Sequence, residues 1–291
     1  VILLDSIARQ ISEVTVRNFI LQESRSIGGG CINQAMKISD GTNTYFVKIN
    51  QADLLPMFEA EADALKEMAS AADIRVPTPV CHGLAGNQSY LVLGFLDLSG
   101  SVDMVRLGRQ LAAMHRVGSE QFGWLRNNTI GSTPQMNNRS PDWLDFWRQQ
   151  RLGFQLRLAA SQGYGGEIQR YGELLMERMA GLFDGYQPQA SMLHGDLWGG
   201  NAAALADATP VIFDPALYYG DRETDIAMTE LFGGFGGRFY AAYDEAWPLD
   251  PGYKTRKIFY NLYHILNHLN LFGGSYQGQA LDMMRRILAE V

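Results

Sequence analysis

The sequence predicts an α+β fold of two lobes, a small antiparallel-sheet lobe around one main helix and then a larger, mostly helical lobe. Three observations carry this expectation. Up to about residue 96, apolar residues come in short runs broken by glycine, asparagine and proline. From about residue 101 they recur at helical spacing. Within that helical stretch lie two short apolar runs, one entering His194-Gly195-Asp196 and the other closing on Asp214.

Taken in order, Arg17 to Ile27 reads as a strand entering Gly28-Gly29-Gly30, and Cys31 to Ser39 as the strand leaving it. Asp40-Gly41 turns the chain into a strand over Thr44 to Asn50. Pro56 opens a helix to about Ser70, because proline suits the first helical turn. Val76-Pro77-Thr78-Pro79 stops it, and Ser89 to Phe95 forms a further apolar strand. Helices are then expected over Ser101 to Val117, Pro141 to Ala160, Gly166 to Phe183, Asp221 to Phe232, Tyr253 to Phe272 and Gln277 to Val291. Residues 1–96 are thus expected as a nucleotide-binding lobe and 97–291 as a catalytic and substrate-binding lobe.

Composition narrows the function classes. A chain of 291 residues, 46% apolar and 19% charged, can bury a full core and does not have the makeup of a disordered segment. A net charge of −7 argues against nucleic acid or an acidic membrane as partner. No apolar stretch approaches the ~18 residues that span a bilayer, and the start, Val1-Ile2-Leu3-Leu4-Asp5, lacks the charged flank of a secretory signal. Only Cys31 and Cys81 are present, too few for a disulfide framework, so the cytoplasm is the expected compartment. There is no tandem repeat or low-complexity tract.

The residues able to do chemistry form a phosphoryl-transfer layout. His194-Gly195-Asp196-Leu197-Trp198-Gly199-Gly200-Asn201 places an amide five residues after an acid, the D-x-x-x-x-N spacing of a kinase catalytic loop. Asp196 is the candidate base that orients and deprotonates an acceptor hydroxyl. Asn201 and Asp214 are candidate magnesium ligands, because a hard cation takes oxygen donors. The competing reading is a loop in which Asp196 and Asn201 only bond backbone. Gly28, Gly29 and Gly30 let backbone N–H groups approach phosphate, although glycines between strands also serve as plain turns. Alternation puts Phe46, Lys48 and Asn50 on one strand face and Tyr45, Val47 and Ile49 on the other. Lys48 then grips α- and β-phosphates, or else snorkels from an edge strand. Its partner is expected at Glu61, which shares a helical stripe with Phe58, Leu65 and Met68, while Glu59 groups with Asp63 and Lys66 on the wet face.

Other positions leave alternatives open. His194 is expected to brace the loop, and Asp225 to accept N–H bonds from it. Trp198 reads equally as a wall of the acceptor pocket and as core packing. His264, Asn267 and His268 share one or two helical turns; a zinc site lacks a third ligand in motif spacing, and these side chains line a hydroxyl-rich substrate pocket or cap the core. Cys31, beside the glycines, reads as an oxidisable thiol or as a small partly buried residue.

The chain resembles the fructosamine/ketosamine-3-kinase family, which is similar to aminoglycoside and choline kinases. The resemblance rests on Gly28 to Asn33, Phe46 to Asn50, Phe58 to Glu61, His194 to Asn201, Tyr219 to Asp225, Leu231 to Gly234, and Tyr263-His264 through Phe272-Gly273. It implies a protein-kinase-like fold and ATP-dependent phosphorylation, with Mg2+, of the 3-hydroxyl of a ketosamine. The acceptor is a small ketosamine or the glycated lysine of a protein, and the product decomposes, which removes the adduct. It also implies adenine contacts through backbone groups of Gly94, Phe95 and Leu96. Monomer and homodimer both stay open. Two other readings remain: a kinase of an aminoglycoside, choline or sugar, and a nucleotide-binding regulator of low turnover.

Overall fold

The computed structural model of the chain describes residues 2–28, 32–71 and 73–291. Two compact units emerge, one of Val1–Asp103 with Ala203–Pro215, the other of Met104–Ala202 with Ala216–Val291. Where a single cut after Leu96 is expected, the first unit runs a few residues further and takes back a later segment. The reason is backbone pairing: Gly100 N–H donates to Ala204 O at 3.0 Å, and Ile212 N–H to Arg75 O at 3.0 Å.

The first unit holds a five-stranded sheet in the order β1-β2-β3-β5-β4, every neighbouring pair antiparallel. Its strands are β1 (Glu23–Ile27), β2 (Gln34–Ser39), β3 (Thr44–Gln51), β4 (Pro79–Ala85) and β5 (Gln88–Gly94). The β2–β3 turn is closed by Asp40, whose carboxylate accepts the Thr42 and Asn43 N–H groups at 2.8 and 2.6 Å. Strand β4 is absent from the sequence expectations. The prolines before it read as a stop, and its ladder shifts register between Pro79 and Cys81, which blurs any period-two pattern.

Two helices flank this sheet. Helix α1 (Ile2–Thr15) is a correction to the expectation of strands around a single helix. It buries Ile7 and Ile11 against Val47, Ile49, Tyr90 and Val92. Full burial of each isoleucine stabilises the unit by about 1.5–3 kcal/mol. The strand expected from Arg17 shortens to Glu23–Ile27 accordingly. Helix α2 (Leu55–Ala71) buries Phe58, Leu65 and Met68 and faces the opposite side of β3, where Lys48 points. The alternation of β3 thus divides as expected, Val47 and Ile49 to α1 and Lys48 to α2.

The second unit is mainly helical: α3 (Met104–His115), α4 (Trp143–Trp147), α5 (Gly153–Ser161), α6 (Glu167–Arg178), α7 (Glu223–Leu231), α8 (Gly237–Ala246), α9 (Tyr253–Phe272) and α10 (Gln277–Leu288). The expected helix over 141–160 is interrupted by a π-helical turn at Arg148–Leu152. That turn aims Arg151 inward, its guanidinium 4.0 Å from the Tyr218 ring centre and donating to Asn137 Oδ1 at 2.7 Å. Helix α8 is also additional to the expectations, and it packs on α3. Short strands complete the chain: β6 (Asn128–Ile130) with β7 (Thr133–Gln135), β8 (Ser191–Leu193) with β11 (Tyr218–Gly220), and β9 (Ala202–Ala204) with β10 (Pro210–Ile212). No described helix is long and apolar enough to cross a membrane.

Candidate active site

In the first unit, β3 carries Lys48 to the side where α2 presents Glu61. The ammonium nitrogen lies 2.6 Å from Glu61 Oε1 and 2.6 Å from Asp214 Oδ1. The side chains of Lys48 and Glu61 are only 7% and 10% exposed, whereas that of Asp214 is 47% exposed. A snorkelling edge-strand lysine would show the opposite pattern. Burial by itself pulls the Lys48 pKa down, but the charges of Glu61 and Asp214 outweigh it and hold the pKa raised. Burial raises the Glu61 carboxyl, and the adjacent ammonium counters that rise. Asp214 sits just past β10 in a left-handed conformation, φ +57°. Aspartate tolerates that region better than most residues, and such strain concentrates at functional positions.

In the second unit, β8, paired with β11 so that Leu193 lies opposite Tyr218, leads into the loop from His194 to Asn201. The loop hangs from Asp225 at the start of α7. That buried carboxylate accepts the His194 N–H at 2.7 Å and the Gly195 N–H at 2.9 Å. Gly195 adopts φ +82°, and a Cβ there would lie 2.1 Å from Ala216 O, so no other residue fits. His194 is buried and its Nδ1 accepts the Asp196 N–H at 3.3 Å, the bracing role expected of it. Asn201 Nδ2 donates to Asp196 O at 2.8 Å and to Asp196 Oδ2 at 3.3 Å. These bonds engage the amide nitrogen rather than Oδ1, and they tie the acid and the amide together within the loop.

His115 is a residue the sequence reading missed. Its Nε2 lies 3.1 Å from Asp225 Oδ2 and its Nδ1 2.7 Å from Tyr243 Oη. Burial opposes the charge on Asp225, but the His115 contact, His194 and the loop N–H bonds bring its pKa below the ordinary carboxylate value. A buried histidine ending the apolar stripe Leu107–Leu111 of α3 is the available signal, and a helical-periodicity reading treats it as core.

The remaining expected residues divide. Trp198 lies edge-on to Phe232 with ring centres 6.1 Å apart, and Phe232 lies 5.1 Å from His268. Gly200 makes room for that indole: a Cβ would stand 2.3 Å from its ring atoms. His268 Nδ1 donates to His264 O at 2.7 Å. His264 is buried and its ring meets Tyr263 at 5.2 Å. Burial pushes its pKa down to about 3, so the ring is neutral near pH 7. At the end of β5, Gly94 N–H donates to Thr78 O at 2.8 Å and Phe95 N–H to Thr44 O at 3.3 Å. Gly28 follows β1, and a Cβ there would meet nothing within 4 Å. Gly29, Gly30 and Cys31 lie outside the described residues.

The sequence model of a family described as "Fructosamine kinase" matches residues 3–290. The chain belongs to the fructosamine kinase family. A Synechocystis protein named "Probable ketoamine kinase" is 50% identical over 286 residues, covering 97% of this chain and 96% of its own. The "Protein-ribulosamine 3-kinase, chloroplastic" of Arabidopsis thaliana is 43% identical over 286 residues, covering 94% and 87%. A crystal structure titled "Putative fructosamine-3-kinase" from Haemophilus somnus 129PT superposes with a TM-score of 0.90 at 30% identity, covering 98% and 97%. The aminoglycoside phosphotransferase APH(4)-Ia superposes with a TM-score of 0.58 at 13% identity, covering 99% of each chain, and shares the fold alone. The fructosamine kinase assignment therefore spans both units, and the fold is protein-kinase-like.

Proposed function

We propose that this fructosamine kinase family member transfers the γ-phosphoryl group of ATP to the 3-hydroxyl of a ketosamine, either a small ribulosamine or fructosamine or the glycated lysine of a protein. The observation that carries the reading is the ammonium of Lys48, held between two carboxylates inside an apolar strand. A protein rarely buries a cation there unless an anion uses it, and the α- and β-phosphates of a nucleotide are that anion. Glu61 fixes the side chain and keeps it charged.

Asp196 supplies the proton chemistry. Its carboxylate orients the acceptor hydroxyl and takes its proton as the oxygen bonds to phosphorus. Asp225, through the His194 and Gly195 N–H groups, holds the loop so that no reorganisation accompanies this step. Asn201, in the second unit, and the half-exposed carboxylate of Asp214, in the first, are each the kind of oxygen donor that would hold Mg2+, a hard cation that keeps water and phosphate oxygens around one or two protein ligands. When bound, Mg2+ would neutralise charge on the phosphates. Trp198 and His268 flank the acceptor in this reading. For the adenine, the N–H groups of Gly94 and Phe95 are engaged by Thr78 and Thr44, so its contacts fall to carbonyl oxygens of this segment and to Leu96 N–H.

Incubation with ATP, magnesium and a panel of ribulosamines, fructosamines, aminoglycosides and choline, followed by phosphorus NMR, tests the proposal. A phosphomonoester on the ketosamine 3-hydroxyl is expected. Transfer only to an aminoglycoside or choline, or ATP turnover indifferent to every acceptor, contradicts it.

A further inference from the structure

Five rings of the second unit form one connected surface. Beyond Trp198, Phe232 and His268, the His268 ring lies 5.4 Å from Phe272 and 5.2 Å from Tyr276, and Phe272 lies 6.4 Å from Tyr276. Trp198, Phe232 and Phe272 are 39%, 38% and 60% exposed, and they are the only Trp or Phe side chains among the exposed large apolar residues described. Solvent-facing aromatic rings gathered at one place mark a ligand surface rather than core packing.

Its electrostatics select the ligand. Phe232 and Phe272 stand at the C-terminal ends of α7 and α9, where carbonyl groups give a partial negative charge. Neither helix has a basic residue in its last turn. Elsewhere the protein places its own cations over aromatic rings, as Arg222 over Trp247 at 3.9 Å and Arg256 over Tyr186 at 3.9 Å. Among the described residues none covers Trp198, Phe232, Phe272 or Tyr276. His268 Nδ1 donates to a carbonyl, so a ring carrying that single proton presents Nε2 as a hydrogen-bond acceptor. Ring faces, helix C-termini and an acceptor nitrogen all favour a cation that carries N–H donors.

We propose that Phe232, Phe272 and Tyr276 extend the surface begun by Trp198 and His268 into a subsite for the amine end of the acceptor. It would take the secondary ammonium of the ketosamine together with the alkyl arm of the amino acid that bears the sugar. The inference rests on the ketosamine reading above and deepens it. A ketosamine differs from a plain ketose in this ammonium, so the subsite selects glycated amines over free sugars. The alkyl arm of a lysine covers the outer rings, which leaves room for a protein surface beyond them.

The test compares a ribulosyl-lysine derivative with its ether isostere, in which oxygen replaces the amine nitrogen. Calorimetric binding and KM are read for wild type, Phe232→Leu, Phe272→Leu and Tyr276→Leu. Wild type should favour the amine by about five- to thirtyfold, the range of a cation over aromatic faces. Each leucine variant keeps apolar bulk and should lose a large part of that preference while the KM for ATP holds. Leu125→Ala, at an exposed position elsewhere on the same unit, should keep the preference intact. Equal binding of amine and ether by wild type, or a preference that survives all three leucine variants, overturns the subsite. A changed oligomeric state with the preference intact also overturns it and gives the surface to self-association. Because binding is measured without turnover, a protein that binds the amine selectively but transfers no phosphate keeps the subsite and fails the kinase reading instead.

Discussion

Lys48 shows how much one side chain reveals when its burial and partners are known together. With Glu61 almost as buried, removing the lysine leaves a carboxylate uncompensated in an apolar setting, which costs about 3–5 kcal/mol. Lys48→Met should therefore lower unfolding stability by that order in urea titrations. Lys48→Met with Glu61→Leu should recover most of the loss, and neither variant should transfer phosphate. Recovery of activity in the double variant would show that the pair is structural only. His264 sets a pH dependence of known sign. Its folded pKa is depressed to about 3 from an unfolded value of 6.5, so its contribution is fully present above pH 6.5 and is lost as pH falls toward 3. The loss amounts to roughly 2 kcal/mol at pH 5. Thermal unfolding between pH 7 and 5 should show this slope, and His264→Gln should flatten it.

At the same scale, periodicity separates Glu61 from Glu59 because only one of them shares a stripe with Phe58 and Leu65. It leaves both readings of His264 open, since a histidine on a helix looks alike whether its ring meets ligand or core. The amphipathic face decides only after neighbouring helices are placed.

Among the elements, the loop from His194 to Asn201 is the most legible, because each residue type answers a local demand. Gly195 permits a positive φ against Ala216, and Gly200 clears the Trp198 indole. Gly200→Ala should displace that ring and lower kcat/KM for the acceptor by up to about a hundredfold, the scale of a 1 Å misplacement. Stability should change little, since the position is exposed, and adding Trp198→Phe should relieve part of the defect. An unaltered kcat/KM in Gly200→Ala would remove Trp198 from the acceptor site. Elements without such local demands were harder to read. Helix α1 carries Leu3, Ile7 and Ile11 at helical spacing, a signal visible in the sequence. Strand β4 hides behind prolines and a bulge. The interruption at Arg148–Leu152 leaves the apolar spacing of 141–160 nearly intact, so only the backbone reveals it.

For the molecule as a whole, two constellations sit in two separately compact units, and the account requires both in one reaction. Under the proposed function, the cation and its carboxylates in the first unit would serve the nucleotide and the loop of the second the acceptor. The order of these groups along the chain was readable before any fold was known. The return of Ala203–Pro215 to the first unit was not, because it depends on backbone pairing with Arg75 and Gly100 that no side-chain pattern encodes. This division of labour is tested most directly by measuring ATP affinity and ketosamine turnover together in Asp196→Ala. The account predicts a fall in turnover of about 10²–10⁴-fold with the dissociation constant for ATP nearly unchanged. Undiminished turnover in that variant would contradict it.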